Sequence, residues 1–248
     1  MNILMKSEAF KKHAQVEEDH WWFKARGEII KSLISSMKMK DHPKILEVGS
    51  GTGGNLKMLS QFGHVISVER DELAIKISKE KTNNNIDIRQ GSLPDNLPIF
   101  EHNFDLVCLF DVIEHIEEDK KSLKIIYSLL NPNGFLFITV PAHKWLWSGI
   151  DELVEHVRRY SKFELQEKIN SSGFDLVKIS FFNFFLSPLA FLVRIFDKSF
   201  QREASGLSTP FSLLNKFLFY IFLSEKWLLR RIDLPLGISL MCIAKKSI

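Results

Sequence analysis

The chain has 248 residues, 45% of them hydrophobic and 25% charged, with a formal net charge of +3. That length and balance suit one large globular domain burying roughly 70–75% of its unfolded surface. The mild positive charge is scattered and forms no basic stripe, so a nucleic-acid partner is not expected. Cys108 and Cys242 are the only cysteines. Each sits in an apolar run without the second Cys or nearby His of a zinc site, so both read as buried thiols. The N-terminal residues lack the apolar core of a signal peptide, and no stretch reaches about 18 uninterrupted apolar residues, so the expected location is cytoplasmic.

Residues 7–39 read as a helical lead-in. Ile29, Ile30, Leu33, Ile34 and Met37 recur at helical spacing behind an aromatic knot, His20-Trp21-Trp22-Phe23, followed by Arg26. Adjacent aromatics on a helix point about 100° apart, so if one tryptophan is core the other faces something else. Residues 1–40 are therefore expected to form a lid with Trp22 toward a substrate, or else a larger core.

Asp41, His42 and Pro43 break the helix. Lys44-Ile-Leu-Glu-Val-Gly-Ser-Gly-Thr-Gly-Gly54 follows, a short apolar run ending in glycines, which reads as strand, tight turn and helix. Two cradles fit these letters. Gly49, Gly51 and Gly54 match the dinucleotide fingerprint, with Glu69 about twenty residues on as its ribose acid. Gly49, Gly51 and Gly53, with Glu47 two residues before the first, match the loop that holds S-adenosylmethionine. Charge separates them: a carboxylate at Glu47 opposes a pyrophosphate at a helix N-terminus but suits an α-ammonium, at roughly 1.5–3 kcal/mol per charged hydrogen bond.

Leu56, Leu59 and Phe62 make a short helix stopped at Gly63. His64–Glu69 is the second strand, and Asp71 caps the helix carrying Leu73, Ala74 and Ile77. Ile86–Arg89 is a third strand, followed by Gly91-Ser92-Leu93 and a loop kept open by Pro94 and Pro98. Phe104–Phe110 is the most apolar strand and ends in Asp111-Val112-Ile113-Glu114-His115.

The glycine loop Glu47–Gly53, Glu69 after the second strand and the Asp111–His115 segment after the fourth, in this order, resemble the bacterial class I S-adenosylmethionine-dependent methyltransferases over roughly residues 20–180 and the last strand. The resemblance implies that Glu47 with Gly49, Ser50, Gly51 and Gly53 cradles S-adenosylmethionine and that Glu69 chelates its ribose hydroxyls beside Arg70. Ser92, with Leu93, stands where the family usually has an acid for the adenine amino group. Asp111, Val112 and His115 are implied to line the cofactor's methionine and the reaction centre; were the segment helical, Asp111 and His115 would share a face.

Asp119–Leu130 carries Leu123, Ile126, Tyr127 and Leu130 on one stripe and reads as an amphipathic helix. Asn131-Pro132-Asn133-Gly134 is a turn and Phe135–Val140 a fifth strand. The alternation predicts a Rossmann-like, doubly wound α/β fold, by resemblance a mostly parallel seven-stranded sheet with an antiparallel last strand. Residues 141–160 form a long loop leaving the carboxyl edge of the fifth strand, where ligands sit in such sheets. It reads as the acceptor loop, with His143 and His156 as candidate bases, since an ordinary imidazole titrates near pH 6.5. Trp145, Arg158, Arg159 and Tyr160 are the candidate acceptor contacts. Ser161 caps a helix running through Ile169, Gly173 ends it, and Phe174–Ser180 is a sixth strand.

Residues 181–235 read as a helical insertion holding eleven of the 21 phenylalanines, ahead of a last strand at Leu236–Ala244. Phe181–Phe196 is too short to span a bilayer and contains Arg194. Phe211–Leu223, followed by Lys226, Arg230 and Arg231, has the make-up of an interfacial helix, so contact with the inner face of a membrane competes with burial against the domain. The segments are thus a lid (1–40), a cofactor-binding domain (41–180), the insertion (181–235) and the last strand (236–248).

The expected activity is methyl transfer from S-adenosylmethionine to a small-molecule or lipid-linked acceptor by in-line displacement, for which no metal is expected. An NAD-dependent oxidoreductase and a catalytically silent methyltransferase-like partner protein are the alternatives. Oligomeric state is not readable.

Overall fold

Residues 45–48, 104–110 and 136–140 are almost wholly buried, as strands covered on both faces must be, and they form the middle of the sheet. The structure, a computed structural model, describes residues 14–189, 191–192 and 209–247. Seven strands, β1 (Lys44–Val48), β2 (His64–Glu69), β3 (Asp87–Gln90), β4 (Phe104–Phe110), β5 (Leu130–Pro141), β6 (Phe174–Phe182) and β7 (Ser239–Lys246), lie in the order β3-β2-β1-β4-β5-β7-β6. The first five pair in parallel, and β7 runs antiparallel between β5 and β6.

Alternation along β4 sends Leu106, Cys108 and Phe110 to one face and Val107 and Leu109 to the other. The first face is covered by α1 (Trp21–Ile34), α2 (Leu56–Leu59) and the last helix, α7 (Ser212–Leu229). The second is covered by α4 (Asp119–Leu129) and α6 (Lys162–Ser171), through Leu123, Ile126, Leu165 and Ile169. The remaining helices are α3 (Glu72–Lys81) and the short α5 (Gly149–Leu153). Asp71 caps α3 by accepting from the amides of Leu73 and Ala74, and Ser161 with Glu164 forms a capping box on α6.

Several boundaries differ from expectation. The lead-in is two helices: residues 14–19 are helical, the chain turns at His20, whose ring accepts from the Trp22 amide, and α1 begins. Asn215 of α7 clasps this break, accepting from the Trp21 amide at 2.9 Å and donating to the Asp19 carbonyl at 2.8 Å. Residues 7–13 of the lead-in lie outside the described residues. β5 begins at Leu130 and carries the Asn131–Gly134 turn within it, with a register irregularity opposite Phe104 and Leu106. β6 runs on to Phe182 and β7 starts at Ser239, later than expected. α7 extends six residues past the expected Leu223 because Phe222, Glu225 and Leu229 are all buried along one side of it. Of the expected segment Phe181–Phe196, residues 190 and 193–196 lie outside the described residues.

Candidate active site

The glycine loop leaves β1 toward α2 with positive φ at Gly49, Gly51 and Gly53. At Gly49 a Cβ would stand 2.7 Å from Val112 Cγ2, and at Gly53 it would stand 2.8 Å from Ser78 Oγ, so both glycines are required by close approach as well as by φ. At Gly51 a Cβ would meet nothing within 4 Å. Its amide donates to Glu69 Oε2 at 2.8 Å, and Glu69 Oε1 accepts from the amides of Arg70 and Asp71. Three backbone donors therefore fix the Glu69 carboxylate at the end of β2. The Ser50 hydroxyl accepts from Ser67.

Glu47 is 1% exposed. Asn55 Nδ2 donates to its Oε1 at 3.0 Å, while Oε2 has no hydrogen-bond partner among the described residues. Burial pushes the carboxyl up to about 8, against the Asn55 hydrogen bond and the charge of Arg26. A buried carboxyl with one open oxygen at the mouth of a glycine loop calls for a cationic ligand. The helix at residues 14–19 lies over this loop: Thr52 Oγ1 donates to Glu17, which also pairs with Lys81 at 3.2 Å. A cavity of about 200 Å³ separates Glu17, Phe23 and Arg26 from Gly54 and Asn55.

Arg26 is a site residue that the helical pattern left as a flank of the aromatic knot. It is buried among Ala25, Ile29 and Ile30, and its Nη2 lies 2.7 Å from Asp111 Oδ2 and donates to Thr139 Oγ1 at 2.6 Å. Its guanidinium lies 5.0 Å from the Trp22 ring centroid. An arginine on the apolar stripe of a helix was the available signal, since a buried charge demands a partner. Asp111 has φ 57° and leads into a single 3₁₀ turn, Ile113–His115. Asp111 and His115 are accordingly not stacked on one helical face: Asp111 turns to Arg26 and Thr139, and His115 turns to the 141–160 loop.

That loop folds as a 3₁₀ turn (Lys144–Leu146) and α5, capped reciprocally by Ser148 and Asp151. Asp151, fully buried, accepts at Oδ1 from His156 Nδ1 (2.8 Å) and Arg159 Nε (2.7 Å). Burial alone would raise its carboxyl, and these bonds outweigh that and hold it well below the usual range. His156 packs edge-on against His115, with ring centroids 4.7 Å apart, and its Nε2 lies 3.9 Å from Glu114 Oε1. His115 Nδ1 lies 3.2 Å from the Glu155 carbonyl and donates to it. Burial, with His156 nearby, holds the His115 imidazole below its ordinary pKa. Glu114 was missed by the sequence reading; burial, with Asp111 beside it, raises its carboxyl well above the usual range.

The other expected acceptor residues are placed differently. Arg159 is buried on Asp151 and the Ala142 carbonyl. Arg158 bridges Asp119 and Glu117, and the Tyr160 hydroxyl, buried, donates to Asp119 Oδ2 at 2.7 Å. Arg159 and Tyr160 thus spend their polar atoms inside the protein, because a guanidinium or phenol taken from water has to be satisfied where it lies, and partly exposed Arg158 spends its own on intramolecular ion pairs. His143 Nε2 donates to the Gly237 carbonyl at 2.9 Å and its ring stacks on Phe181, so it faces β6 and shares no described contact with His156. Trp145 is half exposed beside Phe191. Ser92 exchanges backbone hydrogen bonds with Asn96, and Leu93 is buried. Arg70, exposed, lies 3.7 Å from Glu155 and joins the end of β2 to the 141–160 loop.

A family model described as a methyltransferase domain matches residues 18–179. The chain belongs to the class I S-adenosylmethionine-dependent methyltransferases. A probable S-adenosylmethionine-dependent methyltransferase of Mycolicibacterium smegmatis is 25% identical over 64% of this chain and 61% of its own length. The phosphoethanolamine N-methyltransferase of Plasmodium falciparum is 28% identical over 56% of the chain and 55% of its own length. The chain therefore spans little more than half the length of these curated relatives. The solved structure of Haemonchus contortus phosphoethanolamine N-methyltransferase 2 with S-adenosyl-L-methionine shares the fold at a TM-score of 0.56 and 19% identity, covering 89% of this chain and 52% of that one. S-adenosylmethionine is the family's cofactor. The residues present fit it: the open oxygen of buried Glu47 suits an ammonium, and the space above Gly51 suits close approach.

Proposed function

We propose that the protein transfers a methyl group from S-adenosylmethionine to a small-molecule or lipid-linked acceptor whose nucleophile must lose a proton. The observation that carries this reading is the adjacency of two clusters. Glu47 and Glu69 line the glycine loop with carboxyl groups. Glu47, raised to about 8 with nothing bound, would ionise beside a cationic ligand, whereas the pyrophosphate of a dinucleotide would hold it neutral and gain nothing from it. Glu114 and His115 follow directly from Val112, the residue packed on Gly49, and His156 of the 141–160 loop packs against both.

S-adenosylmethionine, when bound, supplies a carbon already activated by its sulfonium. The chain's own residues hold and orient. Glu47 and Glu69 would take the ammonium and ribose ends, the Arg26–Asp111 pair fixes the end of β4, and the helix at 14–19 covers the loop. The acceptor's proton leaves toward the Glu114–His115–His156 cluster, where Asp151 fixes the His156 tautomer by taking its Nδ1 proton in a hydrogen bond.

S-adenosylhomocysteine at 100 times its dissociation constant should stabilise the protein by about 2.7 kcal/mol, raising Tm by roughly 5–10 °C. A comparable shift with NADH and none with S-adenosylhomocysteine would sink the reading. His156→Ala should keep that shift and lower transfer of a labelled methyl group by roughly 10²–10⁴-fold. A binding-competent wild type that labels nothing in soluble or membrane extracts would favour a silent partner protein.

A second observation favours a lipid-linked acceptor. Leu213, Phe217, Tyr220 and Trp227 form one exposed stripe on α7, opposite the buried Phe222 and Leu229, and Lys216, Lys226, Arg230 and Arg231 flank it. No helix among the described residues is long and apolar enough to cross a membrane. An apolar stripe edged with cations suits the surface of an anionic bilayer. Wild type should float with anionic liposomes at low salt, and Phe217→Glu with Lys226→Glu should not. Wild type that stays unbound would return the acceptor to the soluble phase.

A further inference from the structure

We infer that Glu114, His115 and His156 form a binding site for one divalent transition-metal cation, beside the cofactor loop and at the acceptor side of the cleft. One donor atom from each of the three residues falls within 4.8 Å of the other two. Ligands about 2.1 Å from a tetrahedral ion stand roughly 3.4 Å apart, so the 3.9 Å between His156 Nε2 and Glu114 Oε1 needs only a small closure.

Three further features point to a cation. The first is tautomer control: His115 donates Nδ1–H to the Glu155 carbonyl and His156 donates Nδ1–H to Asp151. Both rings are thereby left with an Nε2 lone pair, and a carbonyl or carboxylate behind a histidine is what orients imidazole as a metal ligand. The second is Glu114, fully buried, with neither carboxylate oxygen finding a hydrogen-bond partner among the described residues. A buried carboxylate in that condition is costly unless a proton or a cation joins it. The third is charge balance. The guanidiniums nearest Glu114 are already matched, Arg26 by Asp111 and Arg159 by Asp151, so neither is left over to neutralise it.

Two imidazoles and one carboxylate suit zinc, iron, nickel or copper better than magnesium or calcium. Three protein ligands leave coordination positions open for the acceptor. A hydroxyl bound there would lose its proton to water at neutral pH because the cation stabilises the alkoxide or phenolate, and His156 would act as ligand in place of base. On this proposal the reaction would use a cation where the sequence pointed to none. Cation binding itself does not depend on the methyl-transfer reading; only its use does.

The test is titration of chelator-treated, full-length protein with Zn²⁺ in competition with a chromophoric chelator, repeated with Co²⁺ to read its visible bands. Wild type should take up one equivalent, with Co²⁺ bands of a nitrogen and oxygen environment. Glu114→Gln and His115→Ala should each weaken uptake at least about tenfold while keeping the wild-type far-ultraviolet circular dichroism spectrum. His115 is only half-buried, so its variant remains informative if Glu114→Gln fails to fold. No uptake by wild type overturns the inference and leaves His156 as the base. Uptake unchanged in both variants overturns it by putting the cation elsewhere. Uptake as expected without any S-adenosylhomocysteine shift would refute the cofactor reading and leave the metal site standing.

Discussion

Arg26 Nη2 lies 2.7 Å from Asp111 Oδ2, tying the middle of α1 to the carboxyl end of β4, 85 residues away in sequence. The guanidinium is buried while about a third of the Asp111 side chain is exposed, so the pair is only partly withdrawn from water. Arg26→Met should cost roughly 1–3 kcal/mol, because Asp111 keeps one bond, from Thr139 Oγ1, and some solvent. Asp111→Asn should cost less, and the double variant less than the sum. A thermal or denaturant double-mutant cycle checks this; additivity within about 0.5 kcal/mol would mean that the pair is uncoupled.

Glu47 should set a pH dependence for cofactor binding. Its carboxyl is raised to about 8 in the free protein, so at pH 7 it is mostly protonated. An ammonium beside it favours the carboxylate, so binding of S-adenosylhomocysteine should release a proton and its affinity should rise up to tenfold per pH unit between pH 6 and 8, then level off. Calorimetry in buffers of different ionisation enthalpy measures the release directly. Glu47→Gln should bind more weakly with no such slope.

Tyr160 separates a structural from an acceptor-binding role. Its hydroxyl donates to Asp119, which also accepts from Lys168 and Arg158. Burial pulls the Asp119 carboxyl upward, and these three bonds outweigh it and hold it below its ordinary value. Tyr160→Phe should therefore lower stability by about 1–2 kcal/mol and leave KM for any acceptor unchanged. A large rise in KM with unchanged Tm would restore the acceptor role.

Glu225 should make the protein less stable as pH rises. It is fully buried on α7, accepts from the Phe185 amide at 3.0 Å, and is pushed up to about 7 by burial against the pull of backbone amides at 183–185. An ordinary glutamate in the unfolded chain titrates near 4.3, so between about pH 4 and 7 the folded state holds the extra proton. Its contribution is favourable below that window and lost through it. Glu225→Gln should match wild type near pH 4 and exceed it at pH 8 by up to about 3 kcal/mol, read as Tm against pH. A constant difference across that range would refute the assignment.

The order of strands and helices, the glycine loop and the strand-end acids Glu47 and Glu69 were all legible in the letters. These are local features: alternation, caps and positive-φ glycines are set by neighbours within a few residues, and the acids sit at strand ends wherever the strands lie. The sequence also marked residues 141–160 as a candidate acceptor loop, from its length and its place after β5. Which of that loop's side chains turn inward depends on long-range packing. Arg158, Arg159 and Tyr160 looked like ligand contacts as letters, but Asp119 and Asp151, which claim them, are fixed by the packing of α4 and by the fold of the loop itself. The roles of Glu114 and Arg26 stayed hidden for the converse reason, although an arginine on an apolar helical stripe already called for a partner. A buried charge shows its role only through its partners, and Asp111, Thr139 and His156 come from elements far apart in the chain that meet at one edge of the sheet.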